Sequence, residues 1–255
     1  MKFSSNHYFY SLMPNDYFQF IQFIVKQGAC AMKVTTDSCL FGAWVAATIN
    51  QQLPSVNRLL DIGTGTGLLS LMLAQKYNAQ IDAVEIDKLT AIQAQQNFVA
   101  SPWNVRLKVY NTAIQQLNPS HHQNYNFIIA NPPFFDGDLL SPANEKNIAK
   151  HSTELSLHEL LDVIDTNLDV SGSFGILLPY HRASYFEELA SKKSFYLTEK
   201  LSVRQTPKHD FFRNIMHFSR IKENPPDAFE LSIHNEQGNF SNEFAELMKD
   251  YYLYL

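Results

Sequence analysis

The chain has 255 residues, 45% of them hydrophobic, which is enough to bury a sizeable core in one large domain or two small ones and excludes disorder throughout. A formal charge of −5, from 20 basic and 25 acidic side chains, argues against a generic polyanion binder, and the two cysteines, Cys30 and Cys39, make neither a disulfide framework nor a paired zinc site. No stretch approaches the ~18 uninterrupted apolar residues of a membrane span, and Met1 to Tyr17 carry polar groups and Pro14 where a signal peptide needs an apolar run. The expectation is a soluble, cytoplasmic protein that needs no metal.

In chain order, Phe18, Phe20, Phe23 and Val25, ahead of Gly28, have strand-like character and predict an extra ribbon or lid within an N-terminal extension over residues 1–50. From about residue 58 to 180, short apolar runs alternate with helical patterns, the signature of a parallel sheet covered by helices. Arg58 to Ile62 reads as the first strand and Leu68 to Tyr77 as the helix after it. Gln80 to Glu85 is the second strand, followed by a helix near Leu89 to Ala100 with Ala91, Ala94 and Phe98 on one face. Asn104 to Tyr110 and Tyr125 to Ala130 supply two more strands. Ser156 with Glu159 forms a capping box before Leu157, Leu160, Leu161, Ile164 and Leu168, whose spacing makes one apolar helix face. Gly172 ends that unit, and Phe174 to Leu178 is a fifth strand. A second capping box, Ser184 with Glu187, predicts another helix; Tyr196 to Val203 and Asn214 to Ile221 then read as a hairpin around the loop Arg204 to Arg213. The whole reads as a doubly wound α/β domain over residues 51–255, with a mostly parallel seven-stranded sheet closed by an antiparallel C-terminal hairpin.

The strongest local signal is Asp61-Ile-Gly63-Thr-Gly65-Thr-Gly67, after a strand and before a helix. A dinucleotide fingerprint, Gly-x-Gly-x-x-Gly, would need glycine where the chain has Leu68, so alternating glycines point instead to a loop that approaches a different nucleoside-bearing ligand. Asp61 is placed to accept a hydrogen bond or to pair with a positive ligand group. Glu85 stands at the end of the second strand, where a carboxylate accepts ribose hydroxyls; alone, Glu85 or its neighbour Asp87 is equally a helix-start acid. The deciding element is Asn131-Pro132-Pro133-Phe134, directly after the fourth strand. Two prolines fix φ and leave carbonyls untied to any helix, so an amide side chain and a proline carbonyl can together accept both hydrogens of a planar NH₂ group. Catalysis there would be orientation plus stabilisation of developing positive charge, with Phe134 as a stacking face.

On those two motifs the chain resembles the Rossmann-like amino-methyltransferases and, more closely, the bacterial tRNA(Val) adenine N6-methyltransferase family. Ala31-Met32-Lys33-Val34-Thr35-Thr36-Asp37-Ser38-Cys39-Leu40-Phe41-Gly42-Ala43-Trp44 is similar to that family's N-terminal signature, and Asp61 to Leu73, Ala94 to Trp103, Asn131 to Phe135, Ala149-Lys150-His151 and Phe240 to Leu255 continue it. The resemblance implies S-adenosylmethionine as cofactor, tRNA as partner, adenine-37 beside the anticodon as target, and cofactor contacts from Thr36 and Asp37. From the residues alone Asp37 is equally a helix N-cap. Two departures stand out: Ala113 occupies the place of the family's usual acid near the cofactor adenine, and Lys150 replaces arginine, keeping charge without the bidentate fork.

From Lys192 to Lys222 eight basic residues face two acids, a net of +6, while Glu223 to Leu255 carries a net of −6. Such a stretch either contacts phosphates, with Arg204, Lys208 and Arg213 in the loop as RNA contacts beside Lys150 and His151, or is a solvated face offset by the acidic tail. Phe211 and Phe212 either stack bases or anchor the hairpin. His121 and His122 are adjacent with no third ligand nearby, which favours a solvated loop over a metal site. A monomer is expected. Rival readings are methylation of a glutamine amide in a protein, of guanine N2 in rRNA or of adenine in DNA; a non-catalytic RNA-binding module; and a nicotinamide-dependent oxidoreductase, disfavoured by Leu68.

Overall fold

The computed structural model describes residues 16–30, 32–117, 124–133, 155–222 and 225–255, without the side chains of 50–52 and with the backbone of 53–55 left out. An antiparallel ribbon of β1 (Tyr17–Gln19) and β2 (Ile24–Lys26) leads into α1 (Thr36–Gln52). Then come β3 (Arg58–Ile62), α2 (Leu68–Lys76), β4 (Gln80–Glu85), α3 (Lys88–Val99), β5 (Leu107–Asn111), β6 (Tyr125–Ala130), α4 (Leu157–Asn167), β7 (Leu168–Pro179), α5 (Ala183–Lys192), β8 (Tyr196–Arg204), β9 (Phe211–Ser219), β10 (Asp227–Ser232) and α6 (Asn242–Met248).

The sheet order is β10-β8-β9-β7-β6-β3-β4-β5. β5, β4, β3, β6 and β7 run parallel, β9 lies antiparallel between β7 and β8, and β10 pairs parallel with β8. β3 has β4 on one side and β6 on the other, so the winding reverses between β3 and β6, and the crevice beyond the strand C-termini there is where such sheets bind ligands.

Alternation along the strands divides the core in two. Leu59, Phe127 and Ile129 face α1, α2, α3 and α6, joined by Phe20, Phe23 and Val25 of the ribbon. Leu60, Ile128 and Ala130 face α4 and α5. α1 crosses the expected division at residue 50, and its Leu40, Phe41 and Val45 lie in the first of these cores with the sheet residues.

The doubly wound, mostly parallel architecture with an antiparallel hairpin is as expected; an eighth strand, β10, extends the sheet beyond β8. Three local expectations change. Leu168 is not the last position of a helical face but the first residue of β7, because α4 stops at Asn167. Gly172 lies inside β7, not at its start: the pairing with β6 shifts register there, and a Cβ on Gly172 would come 2.9 Å from the Asn126 carbonyl oxygen. Ser184 does not cap α5; a 3₁₀ turn at Tyr180–Arg182 already carries helical backbone into Ala183, and Arg182 occupies the cap position without a side-chain bond. The Ser156–Glu159 box, in contrast, closes in both directions.

The third strand begins at Leu107 because Asn104–Arg106 is a 3₁₀ turn. Arg106 thereby reaches the carbonyls of Ala74, Tyr77 and Ala79 at 3.0, 2.7 and 3.0 Å, satisfying the C-terminal end of α2. None of the described helices is long and apolar enough to cross a membrane.

Candidate active site

A cavity of about 480 Å³ opens at the C-terminal ends of β3, β4 and β6, within the size range of small-molecule sites. Its floor is the loop after β3. Gly63 and Thr64 donate their N–H groups to the Val84 carbonyl, at 2.9 and 3.0 Å, which turns the chain sharply out of the strand. Gly63 and Gly65 hold φ of 70° and 56°, and a Cβ on either would meet no atom within 4 Å, so the backbone faces open space there.

Gly67 works differently: it caps α2 at φ 84°, and a Cβ would fall 2.5 Å from Phe98 of α3. It lies outside the cavity lining, as does Asp61. Asp61 is fully buried and accepts the hydroxyls of Thr64 and Ser70 at 2.6 and 2.7 Å, tying loop to helix from beneath. Burial pushes its carboxyl up to about 6, against the lowering effect of those hydrogen bonds.

The second-strand carboxylates divide their roles. Glu85 accepts the N–H groups of Gly65 at 3.0 Å and Asp87 at 2.9 Å, whereas Asp87 caps α3 through Thr90. The Thr90 bonds hold the Asp87 carboxyl below the usual carboxylate range. Both line the cavity, as do Thr112, Ala113, Ile114 and Gln115.

Asn131, Pro132 and Pro133 form the other wall. The Asn131 amide donates Nδ2–H to Ser38 Oγ at 3.2 Å, and Ser38 Oγ in turn lies 2.7 Å from Thr35 Oγ1. The Asn131 Oδ1 is shielded from water and has no hydrogen-bond partner among the described residues. An acceptor left orphaned beside a cavity costs roughly 1–3 kcal/mol unless a ligand donor reaches it. Phe134, Lys150, His151, His121 and His122 lie outside the described residues.

Two expected cofactor contacts are placed elsewhere. Thr36, the exposed first residue of α1, bonds to Tyr252, and Asp37 pairs with Arg213 of β9 at 2.8 Å; neither lines the cavity. Their neighbours Met32, Lys33, Val34 and Ser38 do. The side chains that hold this segment were not visible as site residues in the sequence. Asn97 of α3, almost fully buried, accepts Lys26 N–H at 2.9 Å and donates to the carbonyls of Lys26 and Thr66, both at 2.8 Å. Gln27 accepts Val34 N–H at 2.8 Å. The one available signal was a polar side chain on the apolar face marked by Ala94 and Phe98.

The basic stretch does not make one patch. β8 and β9 are antiparallel, so Arg204, Lys208 and Arg213 stand at the end that carries the cavity, while Lys192, Lys193, Arg220 and Lys222 stand at the opposite end. Six of the eight pair with carboxylates: Lys192 with Glu188, Lys193 with Asp162, Arg204 with Glu230, Lys208 with Glu236, Arg213 with Asp37 and Arg220 with Asp165. Glu230 and Glu236 belong to the acidic tail, which is the offset allowed for from sequence. Phe212 packs against the first core, and Phe211 stacks on Tyr180. Among the described residues no cluster of His, Cys, Asp or Glu could hold a metal.

The family described as Methyltransferase small domain matches residues 43–170, half of the chain. Curated relatives named tRNA1(Val) (adenine(37)-N6)-methyltransferase match at 42% identity in Dyadobacter fermentans and 36% in Parabacteroides distasonis, each over 94% of this chain and 99% of the relative. The chain belongs to the tRNA1(Val) (adenine(37)-N6)-methyltransferase family. Among solved structures, one described as a predicted O-methyltransferase from Agrobacterium tumefaciens superposes with a TM-score of 0.61 at 14% identity, over 82% of this chain and 95% of that one, which supports the fold alone. As a member of the tRNA1(Val) (adenine(37)-N6)-methyltransferase family the protein is an S-adenosylmethionine-dependent enzyme. The cavity fits that cofactor. Open backbone at Gly63 and Gly65, the Glu85 side chain and Asn131 line a single space.

Proposed function

We propose that the enzyme methylates the N6 amine of adenine-37, next to the anticodon of tRNA1(Val), acting as a monomer in the cytoplasm. The observation that carries the reading is the Asn131 amide: one end is held by Ser38, and the other is a shielded oxygen, beside two prolines, without a partner among the described residues. The curated relatives bear that activity in their names.

In this reading Gly63, Gly65 and Glu85 hold S-adenosylmethionine, with Asp61 and Gly67 supporting the loop and Thr36 and Asp37 fixing the segment that covers it. The ribbon of β1 and β2 with residues 27–30 and 32–34 is the lid. When bound, the cofactor supplies an electrophilic methyl on a sulfonium sulfur. Asn131 Oδ1 and a proline carbonyl accept the two hydrogens of the adenine amine, which draws its lone pair out of conjugation and aims it into the cavity. Because the Ser38 bond fixes which end of the amide is the acceptor, the clamp costs no reorganisation as positive charge develops on nitrogen. Phe134 would stack on the flipped base. The excess proton leaves to solvent, so no dedicated base is required. Arg204, Lys208 and Arg213, with Lys150 and His151, are the candidate RNA contacts.

The test is incubation with methyl-labelled cofactor and transcripts of tRNA1(Val) carrying adenine or guanine at position 37. Label appearing as N6-methyladenosine in the first transcript alone is the expected result; label in protein, or equal label in both transcripts, refutes the reading. Asn131→Ala should lower kcat roughly 10²–10³-fold, the range seen when one preorganised polar contact to developing charge is removed.

A further inference from the structure

Beyond the wall formed by Asn131, the end of the neighbouring strand carries a feature the transfer step does not use. Tyr180, directly after β7, lays its ring on Phe211 of β9, with centroids 5.4 Å apart and planes 26° from parallel. The Arg204 guanidinium stands 4.9 Å from the Phe211 centroid, held there by Ser232 at 3.0 Å and by Glu230. Tyr180 nevertheless remains 45% exposed. Two residues on, Arg182 lies 5.4 Å from the ring of Tyr185, which is 51% exposed. Aromatic rings beside guanidinium groups, with two of the rings half open to water, are an arrangement by which proteins hold unpaired bases: the rings stack, and the cations meet phosphates.

Its position matches the chemistry. Ala130 pairs with Ile176 across β6 and β7, so Asn131 and Tyr180 leave adjacent strands on the same edge of the sheet, roughly 10 Å apart at about 3.3 Å per residue. That span suits a nucleotide neighbouring the one whose base enters the cavity.

We infer that Tyr180, braced by Phe211 and Arg204, is a stacking platform for an unpaired base flanking the target in the single-stranded loop of the RNA substrate. The inference rests on the RNA reading above and specifies where the loop lies. A base on Tyr180 fixes the flanking backbone, and so the direction from which the target amine approaches Asn131. Tyr180 is a substrate-positioning residue; it does not line the cofactor cavity.

Methylation of an unmodified tRNA1(Val) transcript by the full-length enzyme tests this in three proteins: the natural sequence, Tyr180→Ala and Tyr180→Phe, with cofactor affinity measured by calorimetry. Loss of one stacked base should raise KM for the RNA about tenfold in Tyr180→Ala, leaving kcat at saturating RNA and cofactor affinity near their original values; Tyr180→Phe should restore the original KM. An unchanged KM in Tyr180→Ala overturns the inference, as does a loss shared equally by Tyr180→Phe or accompanied by weakened cofactor binding. Failure of the underlying reading looks different: the natural sequence would bind cofactor yet leave the transcript unmethylated, and the platform would fall with it.

Discussion

Gly65 and Gly67 look alike in the sequence and differ completely in space. Alanine at Gly67 brings both a left-handed φ of 84° and a methyl group 2.5 Å from Phe98, so it should destabilise the fold by several kcal/mol. Alanine at Gly65 meets no atom and bears only the backbone penalty of about 1–2 kcal/mol, but its methyl points into the ligand's space. Thermal unfolding with and without S-adenosylmethionine separates the two: Gly65→Ala should keep most of its Tm and lose the cofactor-induced rise, and Gly67→Ala should lose Tm itself. A normal cofactor-induced rise in Gly65→Ala would contradict the placement of the ligand over Gly63 and Gly65. Much of this site was legible, because the order Asp-x-Gly-x-Gly-x-Gly after a strand and Asn-Pro-Pro after another are local patterns. The division of labour was not. That Asp61 supports the loop from beneath and Asp37 binds Arg213 depends on partners 9 and 176 residues away.

At the scale of elements, Asn97 is the joint between the ribbon and the glycine loop. Asn97→Ala removes three hydrogen bonds and leaves Lys26 and Thr66 carbonyls unsatisfied, so roughly 1–3 kcal/mol of stability should go, concentrated in the ribbon. Amide hydrogen exchange should quicken at Val25 and Lys26 before the sheet is affected, and cofactor affinity should fall; uniform quickening along the chain would deny the ribbon any separate anchorage. The long apolar strands and the Ser156–Glu159 box were readable because period and capping are written in contiguous residues. β10 was not read as a strand. It spans six residues, four of them exposed, and stays in place by parallel pairing with β8 rather than by burying an apolar face. Ser184 misled for a related reason: a Ser-x-x-Glu pattern starts a helix only where the chain is not already helical.

For the molecule as a whole, pH acts through buried groups of opposite sign. Burial pushes the His217 imidazole down to about 4, with its nitrogens 2.9 Å from Ser173 Oγ and 3.1 Å from Thr198 Oγ1. Unfolded histidine takes a proton near its ordinary 6.5, so the contribution of the neutral imidazole is complete above that pH and disappears as pH falls towards 4, with a ceiling of roughly 3 kcal/mol. Asp61, raised to about 6, contributes most below its ordinary 3.8 and loses that contribution as pH rises through 6. Urea unfolding of the natural protein and of His217→Gln between pH 7.5 and 4.5 isolates the first effect. The stability gap between them should narrow as the solution is acidified, and parallel profiles would show that the imidazole is not held neutral.

The pairing of Arg204, Lys208 and Arg213 with Glu230, Glu236 and Asp37 has an effect on how the enzyme would behave in a crowded ionic medium. Cations already neutralised at home displace few counterions from a nucleic acid. Contacts from these three to a tRNA would therefore add little to the dependence of binding on ionic strength, because each exchanges a carboxylate of the protein for a phosphate of the RNA.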